Sequence, residues 1–119
     1  MNQQIKLKWL NALRSGEYAQ TSHHLKTQNG YCCLGVLCDL HARETGNEWT
    51  KGYASEYQET IERFNYLGHT GMLPREVRYW AEFENPDDYA LDVKVDEAME
   101  MNDEGVNFSE IADFIEREM

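Results

Sequence analysis

A chain of 119 residues with 41% hydrophobic and 28% charged side chains can bury one small core, and a second domain would be too small to bury much. Three Trp, seven Tyr and four Phe argue against general disorder, because disordered segments are poor in large apolar side chains. The net charge of -11 argues against general affinity for nucleic acid or membrane phosphates, since the summed field repels them.

The expected fold class is α+β: one mostly helical globular domain over residues 1–119, with a short hairpin or small antiparallel sheet. Ile5, Trp9, Ala12 and Leu13 recur at helical spacing in Asn2 to Arg14, and Ser15-Gly16 closes that helix. Glu17 to Asn29 reads as polar and weakly extended, with Asn29-Gly30 as a two-residue hairpin turn. Gly30 to Leu40 is the most apolar stretch. From Cys33 to Arg43 two overlapping apolar stripes, one through Val36 and Leu40 and one through Leu34 and His41, predict a buried helix. Gly35, unfavourable in mid-helix, implies close approach of another backbone.

Glu48 to Tyr53 fits either a strand or a packed loop. Ser55 and Gln58 match a capping box, and Tyr57, Ile61 and Phe64 then predict a third helix ending near Gly68. Leu73-Pro74 starts a fourth helix with Pro74 at its first position, facing Val77, Trp80 and Ala81 inward. After the turn Asn85-Pro86-Asp87-Asp88, the alternation of Leu91, Val93 and Val95 with acids and Lys94 predicts a short strand. Asp96 to Asp103 reads as a short helical turn. Asn107 caps a final helix whose apolar face is Phe108, Ile111, Ala112 and Ile115, and the stretch from Gly30 to Leu40 is expected to help bury that face.

No run of about 18 apolar residues is present, and Met1 to Lys6 lacks a signal-peptide core, so the expected location is the cytoplasm. Three cysteines, two of them adjacent, suit reduced thiols better than a disulfide framework.

Lys8-Trp9-Leu10, Ala12 to Gly16, Tyr18, Gln20, Gly30 to Leu40, Leu73-Pro74 with Val77 and Trp80, Asn102-Asp103 and Phe108 to Glu116 span nearly the whole chain. Together they resemble a family of small uncharacterised proteins encoded mostly in phage and prophage genomes. The resemblance implies a phage accessory protein made in the bacterial host cytoplasm, and it brings no activity, cofactor or catalytic residue.

Four features compete as functional sites. Cys32 and Cys33, at a helix N-terminus, suggest a nucleophile with His23, His24, His41 or His69 as base, yet an apolar setting raises a thiol pKa and favours core packing. Cys38, His41, His23 and His24 lack the paired spacing of a zinc site, so no metal or cofactor is expected. Arg14, Tyr18 and Gln20, which the resemblance singles out, suit either a small-ligand pocket, for instance for a nucleotide signal of bacterial immunity, or caps on the buried helix.

The strongest signal is charge asymmetry. Residues 1–51 carry six basic and four acidic side chains, whereas residues 81–119 carry fourteen acidic and two basic. Either the acids serve solubility, or Glu82, Glu84, Asp87, Asp88, Glu110, Asp113 and Glu116 meet a basic host protein, a nuclease or transcription component, by imitating nucleic acid. The expected function is therefore a binding protein, an inhibitor of a host defence or nucleic-acid-binding protein. It is not expected to be an enzyme, to bind nucleic acid directly or to enter a membrane.

Overall fold

The computed structural model describes residues 1–88 and 92–119. Helix α1 (Gln3–Arg14) begins where the Asn2 side chain accepts from the N–H groups of Gln4 and Ile5, each at 3.0 Å, and it buries Ile5, Trp9, Leu10 and Leu13. The hairpin of β1 (Lys26–Thr27) and β2 (Gly30–Tyr31) follows. Its turn residues are Gln28 and Asn29, one position before the expected pair, because Thr27 pairs with Gly30. Gly30 is needed for a different reason. At φ +150° a Cβ there would stand 2.3 Å from the Ala19 carbonyl oxygen, to which Tyr31 N–H donates.

Helix α2 (Cys33–Thr45) is buried along most of its length, from Cys33 to Asp39 and again at His41 and Ala42. The backbone that approaches Gly35 is that of Leu25, whose carbonyl oxygen also accepts from Cys32 N–H at 3.1 Å. The side chain of Leu25 is itself wholly buried. The loop before β1 is thus pressed onto the first turn of α2, with no room for a side chain between them.

The expected third helix does not form. Its residues belong to β3 (Thr50–Glu56) and β4 (Glu59–Asn65), antiparallel over their full length in a sheet of order β2-β1-β4-β3. Tyr57 and Gln58, at φ +50° and +67°, make the two-residue turn. Left-handed conformations match the twist of a tight hairpin, and here they are adopted without the Gly or Asn that usually announces them. Tyr57 is therefore 97% exposed at the tip instead of lying on a buried face.

Helix α3 (Arg75–Trp80) has Pro74 as its N-cap residue, one position outside the expected one. The expected strand at 91–95 is also replaced. Val93 and Val95 begin helix α4 (Val93–Asp103), which buries Val95, Ala98 and Asn102, while Leu91 lies outside the described residues. Arg78 anchors the segment ahead of it. Its guanidinium, 1% exposed, donates to the Pro86 carbonyl at 2.9 Å and the Asn85 carbonyl at 2.5 Å and is ion-paired with Asp92. Helix α5 (Phe108–Glu118) starts with Asn107 Oδ1 accepting from Glu110 N–H at 2.9 Å. It packs chiefly on α1 and α4 and shares the hydrophobic cluster with α2. One hydrophobic cluster runs through the five described helices, with Tyr31 of β2 partly buried against it.

Candidate functional site

The seven acidic residues singled out in the sequence fall into two groups. Glu82, Glu84, Asp87 and Asp88 follow α3, and Glu110, Asp113 and Glu116 lie on α5. Several are already engaged. Glu82 accepts from the Asn2 side chain at 2.6 Å, and Arg14 reaches Asp113 at 2.7 Å and Glu116 at 3.4 Å. Asp87 accepts from Tyr79 Oη at 2.5 Å and pairs with Arg75 at 2.7 Å, contacts that hold its carboxyl below the usual range, the tyrosine bond contributing most. Glu84 is exposed beside a cavity of about 320 Å³ bordered by Phe83, Lys94 and Met119.

The structure adds three carboxylates on or just after α4. Asp96, Glu100 and Glu104 are exposed, and together with Glu110 they make no ion pair with any described residue. Helical residues three or four apart lie about 5–6 Å from one another. Asp96, Glu100 and Glu104 recur every four residues, so α4 presents a row of closely spaced negative charge, and Glu110 is exposed on α5, which packs against α4.

Arg14, Tyr18 and Gln20 do not converge. Arg14 bridges α1 to α5, while Tyr18 donates to Asp39 of α2 at 2.6 Å. Burial, assisted by Asp39, pushes the Tyr18 phenol far up, so it stays a proton donor. Gln20 donates to Asn102 Oδ1 at 3.1 Å and to the Val106 carbonyl at 2.7 Å. Asn102 in turn accepts from Cys33 N–H at 3.0 Å and donates to the Thr21 carbonyl at 2.8 Å. Tyr18, Gln20 and Asn102 fasten the 15–25 loop to α2 and α4, while Arg14 joins α1 to α5.

The thiols are set up as packing groups. Cys32 is the N-cap of α2, its Sγ accepting from Gly35 N–H at 3.4 Å, and burial pushes its pKa to about 11. Cys33 and Cys38 are raised well above 9.0 for the same reason. His23, His24 and His41 are engaged by Asp103, Glu56 and Tyr66. Among the described residues no group of three or more His, Cys, Asp or Glu could hold a metal ion.

His41, edge-on to Tyr66 and Trp80, has its pKa lowered from 6.5, chiefly by burial and against the pull of Glu76 and Glu44. A folded-state pKa below the unfolded one means that the unfolded chain takes up the proton first. The associated stability is present above the unfolded value of 6.5 and is lost as pH falls below it. Urea midpoints should therefore drop between roughly pH 7 and 5.5, and the drop should shrink in His41→Phe.

Sequence reasoning missed one constellation. The strand register places Tyr31, Lys26, Phe64 and Lys51 in one row across all four strands. Lys26 Nζ stands 5.1 Å from the Tyr31 ring centroid, 5.3 Å from that of Trp49 and 4.6 Å from that of Phe64. Buried Asp39 fixes two of the surrounding aromatics, accepting from Trp49 Nε1 at 3.1 Å and from the Tyr18 hydroxyl, whose ring packs edge-on against Tyr31. The cage draws on residues from 26 to 64 and has no local motif. Its one hint was Lys26 and Tyr31 flanking the turn.

No curated protein and no solved structure matches the chain. A family model described as a domain of unknown function, DUF8296, matches residues 1–119, and the chain belongs to that family.

Proposed function

We propose that this protein acts by binding, and that its acidic α4–α5 face occupies the nucleic-acid cleft of a basic host protein, with phage defence or transcription as the setting. The observation that carries this reading is the row of exposed carboxylates at Asp96, Glu100 and Glu104 along α4, with Glu110 exposed on α5, all free of ion pairs with any described residue. Duplex DNA carries a phosphate charge every ~1.7 Å along its axis, so a partner built for phosphates meets comparable charge here. The phage setting rests on the resemblance and the bacterial cytoplasm follows from it. No helix among the described residues is long and apolar enough to cross a membrane.

The other two readings have less behind them. A nucleotide-sequestering pocket would need Arg14, Tyr18 and Gln20 together, and they point to different elements. A cysteine enzyme would need an accessible thiolate, and all three thiols are buried.

The test is affinity capture from bacterial host lysate at low salt, followed by elution with duplex DNA. A captured protein released by DNA and by salt, and not retained by the Glu100→Gln, Glu104→Gln, Glu110→Gln variant, is the expected result. Capture indifferent to DNA and to the triple variant would remove the basis for the reading.

A further inference from the structure

We infer that the ring of Tyr31, Trp49 and Phe64 is an alkylammonium-binding site whose present occupant is the chain's own Lys26, and that a lysine of the basic partner takes that place in the complex. The second half rests on the reading of a basic partner proposed above.

Three aromatic faces around one ammonium at 4.6 to 5.3 Å is the geometry by which ring quadrupoles hold a cation. Lys26 takes this position in a chain with 22 acidic and 11 basic side chains, yet it makes no ion pair with any described carboxylate. Among the described residues, the groups that face its charge are the three rings. The cage is also held ready: Trp49 is pinned by Asp39, and Tyr31 is braced by Tyr18 and Trp49. Walls fixed in this way do not have to be ordered when a cation enters.

Lys26 is only partly buried and lies on a strand of the sheet, so its side chain can swing out into water without opening the core. The net charge of -11 raises the local concentration of cationic groups, so a lysine-bearing partner is favoured over an anionic one. Methylated ammonium ions, being weakly hydrated, should enter more readily than sodium.

Lys26→Ala empties the cage, and tetramethylammonium chloride is the probe, with sodium chloride at equal ionic strength as reference. The variant should melt lower than the parent and recover in a saturable way with tetramethylammonium. Lys26→Met, which refills the cage with a neutral side chain, should respond about tenfold more weakly. A decalysine peptide should compete with tetramethylammonium for the Lys26→Ala protein. If that variant does not fold, the parent answers instead: the Trp49 indole N–H resonance, assigned with Trp49→Phe, should shift saturably as tetramethylammonium displaces Lys26.

Equal responses of the Ala and Met variants, or an unshifted Trp49 resonance, would overturn the site. Binding of tetramethylammonium without competition by decalysine would overturn the assignment to a protein lysine. The tetramethylammonium measurements read the cage and not the acidic face, so their failure leaves that reading standing, whereas failure of that reading leaves the cage intact and removes only the partner's lysine.

Discussion

Gly35→Ala should unfold the protein or lower its stability by about 4 kcal/mol or more, although helix propensity alone favours alanine by about 1 kcal/mol. The sign is set by contact. A Cβ at this position would stand 1.8 Å from the Leu25 carbonyl oxygen and 2.7 Å from its carbon, both of them backbone atoms that cannot rotate away. Relief requires the 25 segment to lift off α2. That movement breaks the bond from Cys32 N–H to Leu25 and the bond from Leu25 N–H to Thr70, and it draws the Leu25 side chain out of the core. Against the 5–15 kcal/mol typical of a whole domain, such a loss leaves little. Urea denaturation, or the absence of soluble protein, reads the result, and an increased midpoint would refute the account of this packing.

The second large effect is expected at Asn102, which is 1% exposed. Asn102→Ala orphans Cys33 N–H and the Thr21 carbonyl and removes one of the two bonds of Gln20. A buried polar group left without a partner costs about 1–3 kcal/mol, so the variant should lose about 3 kcal/mol, with an unchanged urea m-value. Gln20→Ala should lose about 1 kcal/mol, because Asn102 keeps its two backbone partners. Equal losses in the two variants would show that the carboxamide is not the hub described here.

Gln20, Asn102, Tyr18 and Gly35 are among the positions that carry the family resemblance, and each is occupied in fastening the 15–25 loop to the helices. The motif therefore describes a way of folding. Much of it was legible locally. Gly35 in a buried helix implied a neighbouring backbone, and Asn107 with the spacing Phe108, Ile111, Ala112, Ile115 implied the last helix and its buried face. Those signals lie within a few residues of what they determine.

The misreadings arose where partners are distant or a local pattern is shared by two structures. Tyr57, Ile61 and Phe64 fall at helical spacing by coincidence, and the strand that contains two of them is chosen by pairing with 50–56 and with Lys26. Val93 and Val95 alternate with polar residues as in a strand. The burial of Val95, Ala98 and Asn102, at i, i+3 and i+7, was the better guide to α4. The acids were legible in number but not in engagement: Asp113 and Glu116 are taken by Arg14, and Asp96, Glu100 and Glu104 were not singled out. The Lys26 cage needs the sheet register before it exists at all.

Neutralising Asp113 and Glu116 would loosen the α1–α5 contact as well as change the surface, so charge tests belong on Glu100, Glu104 and Glu110. The direct measurement is the association rate with the captured partner as a function of ionic strength, for the parent and for the Glu100→Gln, Glu104→Gln, Glu110→Gln variant. Nucleic-acid mimicry by this face requires a rate that falls steeply with salt in the parent, and a variant about tenfold slower at low salt with a shallower dependence. Rates and salt dependence that coincide in the two proteins would contradict it.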